Sequence, residues 1–327
     1  MPVPITNNAV AAVTTPSGPA VFSFLGLDAT KLSGGIVSSA FRWNVGDSNW
    51  TEIESVAGPG RLAATAQVVE GKIYLFGGYT VAQDGTEKST PHVDIYDPET
   101  DSWTSGTHIP IPTDDAVSGV WRDSLIYLVS GWHDRDNIDN VQIYDPATDS
   151  WSQATPIPGP PVFGHAGSIA GNTIVYIDGV RTNPERPRFS MAGSSWRGEI
   201  DPSDPTKITW NRLADHPGPP LYRAAAGAVE NSVVFAGGTD NPYNYNGVGY
   251  NGVPSEPRRN VFAYDVELGR WLTLDSLSLA TMDHRGIAVA GGTMTIVGGM
   301  TAGQTVTRHV ATRGASVGGL EVPTEDP

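Results

Sequence analysis

The chain has 327 residues, 38 of them Gly and 26 Pro, so about a fifth break helices or make turns and a long-helix architecture is excluded. With 35 acidic against 20 basic residues the formal charge is −15, which repels a phosphate backbone and argues against nucleic-acid partners. The absence of Cys removes disulfides, thiolate metal sites and cysteine nucleophiles, and no apolar run reaches the roughly 18 residues of a membrane-spanning helix, so no membrane insertion is expected.

At the start of the chain, Met1-Pro2-Val3-Pro4 has neither the basic region nor the apolar stretch of a secretion signal, which leaves a cytoplasmic chain or one that has lost a leader. Strand-like runs closed by glycine then recur: 71–78 has counterparts at 124–131, 233–238 and 294–299. A second element follows each. Ile95-Tyr96-Asp97-Pro98 leads to Trp103 and Ile143-Tyr144-Asp145-Pro146 to Trp151, a spacing of seven that Tyr264 to Trp271 and Trp43 to Trp50 repeat. Within one period, residues 64–69, 73–76, 93–96 and 102–104 read as four short strands, with Asp-Pro-Glu-Thr-Asp as the turn between the last two. Trp50, Trp103, Trp151, Trp210 and Trp271 are 53, 48, 59 and 61 residues apart.

These motifs resemble the kelch family of β-propellers, whose repeat is about 50 residues long. The resemblance implies an all-β fold, a single six-bladed kelch-type β-propeller over 1–318 with four-stranded blades around a central channel. The blades fall at about 7–52, 53–112, 113–161, 162–220, 221–280 and 281–318. The last run of strands stops short of a fourth strand, and Pro2-Val3-Pro4-Ile5-Thr6 resembles Pro110-Ile111-Pro112-Thr113, so the N-terminal strand 2–6 is expected to close the sixth blade. Residues 319–327 are expected to form a flexible tail. Two blades depart from the pattern: in the fourth, Asp178-Gly179 replaces the double glycine and Ile200-Asp201-Pro202 reaches Trp210 over ten residues, which predicts a longer turn. In the fifth, about twenty residues follow Gly238 before the next strand, and a loop this long is commonly functional or disordered.

In such a propeller the loops leading into the innermost strands and those joining second to third strands emerge on one face, so their polar residues converge. The candidates for ligand binding are Arg61, Trp132, Arg181, Arg223, Tyr243, Tyr245 and Arg285. Arg forks suit a carboxylate, and aromatic rings stack on sugar faces. His165 and His284 are candidate catalytic proton carriers near pH 7, with Asp114 or Asp240 as carboxylate partner. The alternative is that Arg223 and Arg285 neutralise Asp114, Asp115 and Asp283 across the channel. His133-Asp134-Arg135-Asp136 gathers potential ligands, but the intervening Arg opposes a cation and no metal or other cofactor is expected. A copper-radical oxidase of the galactose oxidase type needs a cysteine-crosslinked tyrosine, which a chain without Cys cannot form.

Among bacterial kelch proteins, the Pro-Val-Pro opening, the Gly58-Pro59-Gly60-Arg61 stretch and Gly298-Gly299 followed by Thr301-Ala302-Gly303 resemble the N-acetylneuraminate epimerase, or sialic acid mutarotase, group. The resemblance implies a periplasmic or secreted isomerase acting on a small acidic or amidated sugar, with a Glu and an Arg on the loop after the second strand of the fourth blade. That loop here begins Val180-Arg181, and Glu185-Arg186 follow. A non-catalytic module that recognises a glycan or a protein through the same face is the alternative.

Overall fold

The computed structural model describes residues 1–317. Six antiparallel sheets follow one another along the chain, and each innermost strand neighbours the next until the last, Ala288–Ala290, meets the first, Ala9–Thr15. That closed ring is a six-bladed β-propeller. Five blades have four strands; in the second these are Thr65–Val69, Lys72–Phe76, Val93–Asp97 and Ser102–Ser105, counted outward from the axis. Helix is confined to two 3-10 turns, Ser33–Gly35 and Ala302–Gln304, and among the described residues no helix is long and apolar enough to cross a membrane.

The sixth blade has three paired strands, Ala288–Ala290, Thr293–Val297 and Val310–Gly314. The expected pairing of the chain start with this blade exists, since the Ile5 amide donates to the Thr307 carbonyl (3.2 Å) and the Met1 amino group to the Arg308 carbonyl (3.3 Å). It is not, however, a fourth strand. The bond from the Gly299 amide to the Ile5 carbonyl (2.9 Å) reproduces that from Gly78 to Thr113 (3.2 Å), so residues 1–5 occupy the place of the link between blades. The Pro-Val-Pro likeness to residues 110–112 is a likeness to that link, which explains why it built no ladder. The expected tail at 319–327 lies outside the described residues.

The fourth blade differs from expectation in another way. Its outer strands, Ser195–Asp201 and Asp204–Arg212, are long, Asp201 pairs directly with Asp204, and the register shifts between Ile200 and Asp201. The extra residues enter a β-bulge and longer strands, not a longer turn.

The core lies between blades. Phe24 of the first blade meets Tyr96 and Trp103 of the second at 5.9 and 5.5 Å, and Phe76 of the second meets Tyr144 and Trp151 of the third at 5.6 and 5.9 Å. Each fully buried Phe contributes roughly 1.5–3 kcal/mol of transfer free energy. The outer-strand tryptophans also tie blades by hydrogen bonds: the indoles of Trp103, Trp151, Trp210 and Trp271 donate to the carbonyls of Glu54, Thr107, Thr155 and Ala214 on the preceding blade. Trp103, Trp151 and Trp271 make this bond at the seven-residue spacing, and Trp210 makes the same bond across its longer, bulged hairpin.

The double glycine sets the blade against the axis. A Cβ at Gly78, where φ is +83°, would lie 2.6 Å from the Leu62 carbonyl oxygen, so only glycine lets the second strand end this close to the start of the innermost one. In the fourth blade Gly179 keeps that position, and Asp178 replaces the first glycine of the pair, accepting from the Leu221 amide (2.8 Å) and bonded to His216 (2.6 Å).

Candidate functional site

One residue at the start of each innermost strand adopts the left-handed conformation: Asn7, Ala63, Asp115, Gly164, Arg223 and Asp283, with φ between 51° and 70°. For the non-glycine members this costs of order 1–3 kcal/mol each, offset by the bonds it allows. The amides of Asp115, Gly164 and Arg223 donate to the carbonyls of Ala63, Asp115 and Gly164, the amide of His284 to Arg223, and that of Asn7 to Asp283. The side-chain oxygen of Asn7 accepts from the Ala63 amide and completes the circle around the axis.

This ring divides the axial space. On one side a mouth of about 340 Å³ is lined by Asp115 and Arg223 of the ring, by Asp114 and Phe163 just before it, and by Tyr79, Glu87, Trp132, Arg188, Phe189 and Tyr250 from the outer loops. On the other a channel of about 270 Å³ runs between the innermost strands and is lined by His165, His284 and Arg285. At Asp115 and Gly164 the residue before, Asp114 or Phe163, lines the mouth, and the two after, Ala116 and Val117 or His165 and Ala166, line the channel.

The floor of the mouth is an ion-pair network. Arg223, 3% exposed, donates from Nε and Nη2 to Asp115 (3.2 and 2.6 Å) and from Nη1 to Asp283 (3.0 Å). Its guanidinium lies over the rings of Tyr222 and Tyr243, 5.0 and 5.4 Å from their centroids. Asp283 further accepts from Thr6 (2.7 Å) and Asn7 (2.8 Å), and Asp115 is also bonded by Nη1 of Arg285. Burial opposes the Asp115 charge, but Arg223 and Arg285 outweigh it and hold its pKa below the ordinary carboxylate value. Burial, reinforced by the Asp115 charge, raises the Asp114 pKa well above that value, and the Ser89 hydroxyl sits 2.6 Å from its carboxyl.

The walls are aromatic. Trp132 lies 5.3 Å from Phe163 and 5.9 Å from Phe189, Phe189 lies 4.3 Å from Tyr250, and the Arg188 guanidinium covers Trp132 and Phe189 at 5.7 and 5.2 Å. Opposite stands Glu87, solvent-exposed on the strand Glu87–Ser89, whose pKa is raised by partial desolvation and by Asp115 against the pull of Arg223. The Tyr250 hydroxyl is likewise held protonated by desolvation.

Of the residues expected from the sequence, Asp114, Trp132 and Arg223 come together at the mouth. The others do not. His165 and His284 are buried on the channel side, where Nε2 of His165 donates to the Val129 carbonyl (2.9 Å) and Nε2 of His284 lies 2.9 Å from the Thr281 hydroxyl. Burial pushes both imidazoles down to about 4. Arg285 faces the channel. Arg61, 1% exposed, is paired with Asp94, and Asp240 is paired with Arg258 at the surface. Arg181 is exposed and donates to Ser190 (3.2 Å). Tyr243 is fully buried beneath Arg223, and Tyr245 is half-buried beside the cluster of Leu27, Leu62 and Tyr79. His133 uses Nδ1 on the Pro112 carbonyl (2.6 Å), and among the described residues no group of three or more His, Cys, Asp or Glu could hold a metal ion.

Glu87, Arg188 and Phe189 went unread in the sequence. Glu87 had a signal: Asp84-Gly85 between Tyr79–Val81 and Glu87–Ser89 is a hairpin turn that projects a strand pair over the mouth.

A family model for the attractin/LZTR1 beta-propeller matches residues 21–307. No curated protein matches the chain. Among solved structures, that of YjhT aligns over 96% of this chain and 98% of its own with a TM-score of 0.76; at 19% identity the likeness is one of fold. With the family model spanning most of the six blades, the chain belongs to the attractin/LZTR1 beta-propeller family, of kelch type.

Proposed function

We propose that the mouth binds a small acidic or amidated sugar. The observation that carries this reading is the meeting, in one cavity of about 340 Å³, of the Trp132, Phe163, Phe189 and Tyr250 rings with the Arg188 guanidinium and the Glu87 carboxyl. Aromatic faces suit the C–H surface of a sugar ring, and the guanidinium suits its carboxylate. Saturation-transfer NMR with acidic, N-acetylated and neutral sugars tests it. Transfer to an acidic or N-acetylated sugar, abolished by Trp132→Ala, is expected; no transfer to any sugar overturns it.

The finer reading is that the protein is a mutarotase, in keeping with the resemblance to the sialic acid group. Ring opening removes the proton of the anomeric hydroxyl as the ring C–O bond breaks and returns one to the ring oxygen, and reclosure reverses both transfers. Glu87 is the proton acceptor in this reading, and the protonated Asp114 or Tyr250 the donor. The upward shifts of the Glu87 and Asp114 pKa values, both driven first by desolvation, support their roles in such an exchange. Anomer exchange measured by NMR separates catalyst from binder: acceleration lost in Glu87→Gln supports a mutarotase, and binding without acceleration leaves the non-catalytic glycan module.

A further inference from the structure

Beyond the ring of left-handed residues, the channel is walled by short apolar side chains such as Val10, Ala66, Ala226 and Ala288 and by the polar side chains of Gln67, Ser118 and Ser168. Among the described residues a single ionised side chain stands on that wall, Arg285, because His165 and His284 are neutral above about pH 4. Its side chain is 5% exposed. Nη1 is spent on Asp115, while Nε and Nη2 are buried and have no hydrogen-bond partner in the protein. Those two nitrogens share one edge of the guanidinium and point their N–H bonds in parallel, the side-on fork that receives both oxygens of a carboxylate or phosphate. Nδ1 of His165, in the same cavity, is a second buried atom without a partner and serves as an acceptor, since Nε2 carries the proton.

A buried guanidinium with three of its five N–H donors unspent is costly. Asp115 already accepts three bonds, two from Arg223 and one from Nη1 of Arg285, and neither Nε nor Nη2 of Arg285 reaches it. A lone positive charge on the channel wall attracts anions there, even on a chain of net charge −15.

We propose that the channel is an oxyanion site, separate from the mouth, in which Arg285 grips a small carboxylate- or phosphate-class anion side-on through Nε–H and Nη2–H. Its ligand is limited in size by the cavity of about 270 Å³, and where the anion keeps a hydroxyl, as hydrogen phosphate does, that O–H donates to Nδ1 of His165. Asp115 forms the common wall with the mouth.

Thermal shift and isothermal titration with sodium formate, sodium phosphate and sodium chloride at matched ionic strength and pH 7.5 test the site. Formate or phosphate is expected to bind along a saturable one-site curve that chloride does not reproduce, and the two arms distinguish a planar from a tetrahedral anion. Arg285→Lys keeps the charge on Asp115 and removes the fork; affinity is expected to fall at least tenfold. Superimposable curves for the three salts, or unchanged affinity in Arg285→Lys, overturn the proposal. Should that variant fail to fold, crystals of the unaltered protein grown with selenate decide: an anomalous selenium peak beside Nε and Nη2 of Arg285 is expected, and its absence overturns the site.

Discussion

Arg223 joins two carboxylates that are almost wholly buried, Asp115 at 2% and Asp283 at 0% exposure. Arg223→Gln leaves Asp283 with no cation and Asp115 with Arg285 alone, and breaking a buried pair by removing one partner costs about 3–5 kcal/mol. A clear fall in melting temperature is the expected result in a thermal scan, whatever the variant does to ligand affinity. Glu87 is the opposite case, exposed at the mouth with no carboxylate network depending on it, so Glu87→Gln should leave the melting temperature within a degree or two and remove ligand affinity or turnover. For His165 and His284, burial lowers the folded pKa to about 4, against 6.5 for the model imidazole. The folded state therefore binds fewer protons than the unfolded one between those values, so stability is full above pH 6.5 and declines as the pH falls toward 4. The loss is about 3 kcal/mol per imidazole. Urea melts from pH 7.5 to 4.5 should show it, and His284→Gln should flatten the profile; an unchanged slope contradicts the burial argument.

At the scale of the element, the repeat was legible because each motif residue answers to a repeated physical demand. Gly78 must approach Leu62, and Trp103 and Trp151 must reach a carbonyl of the preceding blade. Trp151 is half-buried, so Trp151→Ala should cost about 2–3 kcal/mol, less than a fully buried indole, in chemical denaturation. The chain start was legible as a partner of the last blade but not as a link, since a proline-rich pentamer reads alike in both roles. Deleting residues 1–5 should still lower stability, because Ile5 is 2% exposed and bonded to both Gly299 and Thr307. An unchanged melting temperature would mean that the ring holds without this clasp. The site was less legible. Sequence neighbours such as Phe163 and His165 separate to the two sides of the ring because the left-handed Gly164 between them redirects the chain, and no spacing rule reports that turn. Glu87, Arg188 and Phe189 come from hairpins of two different blades whose tips converge only in three dimensions.

At the scale of the whole molecule, the propeller supplies a rigid ring with two axial compartments that share one wall, the Asp115 ion pairs. The chain carries −15 overall, and the mouth gathers Arg135, Arg188 and Arg223 beside Glu87, Asp115 and Asp134; with Arg223 held by Asp115 and Asp283, the guanidiniums an anionic ligand meets are those of Arg135 and Arg188 at the rim. Affinity for such a ligand should weaken as salt is raised from 0.05 to about 0.5 M, because the rim guanidiniums are exposed to screening. The central claim is that the mouth, not the channel, is the sugar site. Saturation-transfer NMR on the unaltered protein, Trp132→Ala and Arg285→Lys tests it most directly. The account predicts transfer to an acidic or N-acetylated sugar in the unaltered protein and in Arg285→Lys, and none in Trp132→Ala; transfer that survives Trp132→Ala and vanishes in Arg285→Lys would contradict it.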